Sequence, residues 1–268
     1  MGEIFGGLLG VPASARERRA ELCGRFNLGI SLFDFICDEA GSDDIAELQR
    51  LPSLRHFTGT AAEERELRSG TLKFLDRIVA GVLGDFVEEI GPPRKTRRGG
   101  LWGALFAMFE AEMTRARLEL DDPAPTDAIR EALRLSSAEP FRVMAQWMVE
   151  RGAQSPQLAR RAAHLGRCVG DCFWLIDDAR DVWSDLYAGR WNLFLLEAKS
   201  AEPSLRLSRP TPLLEQHLMD LWIRERTAER TARWAVRRLA RTLSALPGNQ
   251  RTTRSASERL HAAMQTWS

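Results

Sequence analysis

Four carboxylates stand where one helix face could gather them: Asp177, Asp178, Asp181 and Asp185, at the acidic end of the apolar run 172–176. At about 100° per residue, positions 177, 181 and 185 advance by roughly 40° a step, and Asp178 falls within about 20° of Asp185. Like charges one turn apart cost a few tenths of a kcal/mol per pair, so an uncompensated cluster is a poor structural choice. A bound divalent cation reverses that cost, and hard oxygen donors suit Mg²⁺. The competing reading is a solvated acidic face. Asp34-Phe35-Ile36-Cys37-Asp38-Glu39 repeats the pattern, with Asp34 and Asp38 also four apart after an apolar stretch. Each pair sits near the C-terminal end of its helix, where the helix dipole disfavours anions. Side by side, two such helices would set six carboxylates across a cavity mouth. Without cations that mouth repels itself; with Mg²⁺ it becomes a platform for a diphosphate.

The elements that must position these residues are all helical. A Ser14-x-x-Glu17 capping box opens a helix expected to run to about Ala40 and stop at Gly41. On it Asn27, Ser31, Asp34 and Asp38 share a face. Residues 42–60 read as loop and short helix, 61–90 as a long helix, and 91–100 (GPPRKTRRGG) as a basic connection, either a solvated loop or a clamp for a phosphate. Helices over 101–120 and 126–151 follow, the second capped by Thr126. The helix holding the first acidic cluster begins at Ser155 with Pro156 at its first position and ends at about Leu186. Gly189-Arg190-Trp191-Asn192 leads to a short helix; residues 199–212 are polar, and helices over roughly 213–246 and 255–266 complete the chain. With no convincing strand and no repeat, the 268 residues read as a single all-α domain, 1–268, of eight to ten helices.

Composition narrows the function classes. Formal net charge is +1, so no global field favours nucleic acid. The cysteines Cys23, Cys37, Cys168 and Cys172 and four scattered histidines show no zinc spacing, and reduced thiols in a cytoplasmic protein are expected. No run is long and apolar enough for a transmembrane segment. A peripheral membrane contact through the apolar first ten residues stays open, as does a homodimer.

The run Gly166-x-x-x-Gly170-Asp171-Cys172-Phe173-Trp174-Leu175-Ile176-Asp177-Asp178-x-x-Asp181 resembles the second aspartate-rich region of the class I isoprenoid synthases. That group includes trans-prenyltransferases, squalene and phytoene synthases, and class I terpene cyclases. Arg180-Asp181-Val182-x-x-Asp185-x-x-x-Gly189-Arg190 also looks like the second motif of the squalene/phytoene branch, and 34–39 resembles the first aspartate-rich motif. Elsewhere only the helical character agrees.

The resemblance implies an all-α fold around a central cavity and a prenyl diphosphate substrate. Mg²⁺ would be held by Asp34, Asp38, Asp177, Asp178, Asp181 and Asp185. Loss of diphosphate leaves an allylic carbocation, which needs a dry cavity with aromatic faces. Trp174, one turn before Asp177 and on its face, is placed to meet that cation. Gly170 a turn deeper would leave room, with Phe173, Asn27 and Ser31 as further lining. Asp34, Asp38, Asp177, Asp181 and Trp174 are thus expected to carry the chemistry. Phe33, Phe35, Phe106, Phe109, Trp102 and Trp147 are either cavity wall or ordinary core. For the diphosphate, Arg190 comes first, with Asn192 and Lys199; Arg134 and Arg142 are weaker candidates. His164 is either a cavity residue or a satisfied core histidine.

Departures from the family pattern bear on the reaction. Phe35 stands where prenyltransferases usually carry a second aspartate, and Trp174 where chain-elongating enzymes carry glutamine. The paired arginines of chain elongation are missing, and the first motif lies close to the N-terminus. These features favour a terpene synthase that ionises and cyclises a prenyl diphosphate. The alternatives are a prenyltransferase, by chain elongation or squalene/phytoene-like condensation, and a non-catalytic isoprenoid-binding or partner subunit.

Overall fold

The computed structural model describes residues 1–39, 70–91, 100–121, 125–150 and 156–245, with 255, 258–260 and 262; of 37–39, 89, 90, 100 and 150 only the backbone is described. Every regular element among them is a helix: α1 Gly2–Leu8, α2 Ala13–Glu39, α3 Gly70–Ile90, α4 Gly100–Arg115, α5 Thr126–Ser137, α6 Glu139–Glu150, α7 Pro156–Ala188, α8 Leu193–Ala201, α9 Pro212–Glu225 and α10 Thr227–Ser244.

Helix α7 is the axis. It packs against α6, α10, α8 and α5. Two glycines let it touch α6 backbone to backbone: a Cβ on Gly166 would come within 2.5 Å of the Phe141 carbonyl oxygen, and one on Gly170 within 2.2 Å of the Ala138 carbonyl oxygen. Gly170 therefore serves helix packing, and does not open space in a cavity as its sequence position suggested. At the other end Gly189, at φ +74°, turns the chain out of the helix.

Three boundaries differ from those expected. The segment read as one helix over 126–151 is broken at Ala138. Pro140 explains the break, because in a continuous helix its ring would meet the carbonyl of Ser136 and its missing N–H would leave that carbonyl unbonded. The segment over 213–246 is broken at Arg226, which adopts a left-handed conformation at φ +52°. The N-terminus forms α1, which has no side-chain cap and three glycines in seven residues. Burial stabilises it: Ile4, Phe5, Leu8 and Leu9 are buried, and α1 packs on α2 and α6. The apolar first ten residues are thus core, not a membrane contact. No described helix is long and apolar enough to cross a membrane.

The buried side chains form two clusters. One is built on α1, α2, α3, α4, α6 and the first half of α7, with Phe86 and Trp147 in ring contact at 4.0 Å between centroids. The other joins the second half of α7 to α5, α8 and α9.

Candidate active site

Six helices, α2 to α7, leave a cavity of about 160 Å³ between them. Its body is apolar and aromatic: Phe33 and Phe109 at 5.2 Å between centroids, Phe141 stacked on Phe173 at 4.8 Å, Phe106 and Trp174, with Ile30, Val79, Val82, Leu83, Leu105 and Met108. Asn27, Ser31, Ser136 and Ser137 add hydroxyl and amide groups, the last two contributed by the helix break at Ala138. Three carboxylates complete the lining: Asp34 from α2, Glu112 from α4 and Asp177 from α7. The two acidic helices thus reach one cavity, through one carboxylate each. Of the other aromatic candidates, Trp102 and Trp147 lie in the core around Phe86, and Phe35 is exposed.

A guanidinium ties part of that rim together. Arg115, at the end of α4, pairs with Asp34 and also with Glu112, whose carboxylate lies 2.6 Å away. Burial pushes the Glu112 carboxyl up to about 7, against the opposing pull of Arg115, and the nearby Asp34 charge adds to the rise. Asp181, one turn beyond Asp177, is half exposed, with the Arg180 guanidinium 4.0 Å from it. The Asp38 side chain lies outside the described residues, as does the basic stretch 92–99.

The whole chain superposes on a crystal structure of a geranylgeranyl pyrophosphate synthase from Lactobacillus brevis ATCC 367. The match covers 97% of this chain and 93% of that one, with a TM-score of 0.56 at 15% sequence identity. The fold is that of the class I isoprenoid synthases. No family model matches the sequence, and no curated protein does. At such low identity the likeness speaks for the fold alone.

Within this isoprenoid-synthase fold, several residues expected at the site turn out to brace it. Asp178 is buried and its Oδ2 accepts the Leu193 N–H at 2.6 Å, so it fastens the start of α8 to α7. Burial raises its carboxyl to about 8, against the Leu193 hydrogen bond, with the Asp185 and Asp177 charges adding to the rise. Its position is that of a buried brace between α7 and α8, and it does not line the cavity. Asp185 accepts from Asn192 Nδ2 at 2.8 Å and faces Arg190 Nε at 3.2 Å. Asn192 is wholly buried; it caps α8 by accepting the Phe194 N–H and donates to the Asp178 carbonyl. Arg190, Asn192 and Asp185 link the end of α7 to the start of α8, and none of the three lines the cavity. Lys199 pairs with Asp121 at 2.9 Å and donates to the Leu205 carbonyl, away from the cavity. Arg134 and Arg142 pair with Glu131 and Glu139 on their own helices, and His164 lies outside the cavity lining.

Glu112 and Arg115 were not anticipated. Their signal was weak: a glutamate and an arginine three apart at the end of a mainly apolar helix, beside Glu110 and Thr114. The donor set fits Mg²⁺ in one respect. Asp34 and Asp177 bring hard oxygens from separate helices to one cavity. Among the described residues no group of three such side chains is arranged to hold an ion by itself. Mg²⁺ commonly binds through one or two carboxylates and takes water and substrate phosphate for the rest, so this pairing matches its habit.

Proposed function

We propose that the protein is a Mg²⁺-dependent enzyme that ionises an allylic prenyl diphosphate, with Asp34, Asp177 and Asp181 as the metal-binding carboxylates. The observation that carries this reading is the arrival of both acidic motifs, through Asp34 and Asp177, at one aromatic cavity. Bound Mg²⁺ would neutralise the charge growing on the departing diphosphate. The chain's own residues supply the remainder. Phe33, Phe106, Phe109, Phe173 and Trp174 offer ring faces to an allylic cation. The apolar walls keep water from quenching it. Arg115 fixes Asp34 beside Glu112, setting the geometry of the rim before any ligand binds.

Prenyl transfer is the reaction that the structural neighbour favours, since that protein is a geranylgeranyl pyrophosphate synthase. The expectation of cyclisation gains nothing from that comparison. Its basis stays in the sequence, where Phe35 and Trp174 depart from the elongation pattern. Incubation with Mg²⁺ and geranyl, farnesyl or geranylgeranyl diphosphate, with and without isopentenyl diphosphate, separates the two. Longer diphosphates formed only with isopentenyl diphosphate establish transfer, whereas hydrocarbon or alcohol from one substrate alone establishes cyclisation. Absence of diphosphate release under every condition sinks both. Asp177→Ala and Asp181→Ala should each lower turnover by about two orders of magnitude with the helical circular dichroism intact. Wild-type turnover in both variants would overturn the assignment.

A further inference from the structure

Helix α10 and its leading residue carry arginines at 226, 230, 233, 237, 238 and 241. At about 100° per residue, all but Arg238 fall in one arc roughly 80° wide. The arc lies opposite the buried Ala235 and Leu239. Beside it Trp234 is 49% exposed. With His164 of α7 and the glutamates 225 and 229, these side chains line a groove of about 750 Å³ that shares no residue with the aromatic cavity.

Carboxylates are assigned to only some of these arginines. Glu229 pairs with both Arg226 and Arg233, Glu197 with Arg230, and the buried Asp171 with Arg238. Arg238 also lies over the Trp234 ring, 5.3 Å from its centroid, which fixes that wall of the groove. The side chains of Arg237 and Arg241 have no hydrogen-bond or ion-pair partner among the described residues. Two like charges one turn apart destabilise a helix, and an anion held between them reverses the sign. Guanidinium groups present planar paired donors that match phosphoryl oxygens.

We propose that this groove binds a phosphoryl anion, with Arg237 and Arg241 as its principal contacts and Trp234 as its wall. The same chemistry is offered by a soluble diphosphate and by the headgroup of an anionic lipid. The proposal stands apart from the reaction assigned to the cavity.

Two probes test it: titration with inorganic diphosphate in the presence of EDTA, so that no divalent ion bridges it to the cavity, and sedimentation with phosphatidylglycerol or phosphatidylcholine vesicles. At least one anionic probe should bind saturably and weaken as salt is raised. The double variant R237Q/R241Q, altered only at exposed positions, should bind at least tenfold more weakly, and D177N should bind as the wild type does. Diphosphate binding identifies a soluble ligand, and phosphatidylglycerol binding that excess diphosphate fails to displace identifies a headgroup. Failure of both probes, equal binding to phosphatidylcholine vesicles, or unchanged binding in R237Q/R241Q overturns the proposal.

Discussion

Asp177 and Asp178 are neighbours in sequence and opposites in structure. The periodicity of the helix puts both on one acidic arc, and that much was legible. What divides them is the Leu193 N–H, supplied by a chain that has turned and come back fifteen residues later. Hydrogen bonds of this kind have no signature in local spacing, which is why Asp178, Asp185 and Asn192 looked like site residues and prove to be a joint. The reverse holds for Glu112 and Arg115, whose importance rests on a pairing with Asp34 across two helices. That pairing predicts a competition: the guanidinium holds positive charge where a cation would bind the Asp34 carboxylate. Arg115→Gln should therefore raise Mg²⁺ affinity severalfold, as read by calorimetry without substrate. It should also lower stability, because Glu112 loses its partner in a buried site. Unchanged or weaker Mg²⁺ binding would place the metal away from Asp34.

At the scale of elements, the start of α7 was legible from Pro156 and its end from Gly189, because both residues act through the local backbone. The break at Ala138 was also written in the sequence, in Pro140, yet the apolar periodicity on either side reads as continuous. The break at Arg226 carries no glycine or proline and could not be read. What made Gly170 look like cavity floor was its place in a motif; its role is contact, since only a glycine admits the Ala138 carbonyl so near. Gly170→Ala should therefore destabilise the protein by roughly 1–3 kcal/mol or more, measured by urea unfolding, with the loss arising from overpacking. An alanine variant as stable as the wild type would show that α5 and α6 can yield at their junction.

Over the whole molecule, the all-helical class followed from periodicity, whereas the enclosure of one cavity by six helices depended on packing that no single stretch encodes. The second hydrophobic cluster has its own titratable anchor beside Leu120, Leu205 and Leu207. Asp121, in a left-handed conformation, accepts N–H groups of Leu207 and Ser208 and pairs with Lys199. Burial alone would raise its carboxyl, but the Lys199 and backbone hydrogen bonds prevail and lower it to about 2. A depressed carboxyl stabilises the fold above the ordinary carboxylate range, and that contribution fades as pH falls from about 4 towards 2. Asp121→Asn, which tolerates the same backbone, should cost on the order of 2 kcal/mol at neutral pH and flatten this part of the acid unfolding profile. An unaltered acid limb would dissociate Asp121 from it. The backbone contact at Gly166 and Gly170 has one more consequence, mechanical in kind. Helices α6 and α7 are locked together along their backbones, while α2 packs on α1, α3, α6 and, less extensively, α4. The Asp34 side of the cavity mouth is therefore held to the rest of the fold through Arg115 of α4, rather than by extensive packing of α2 on α7 among the described residues.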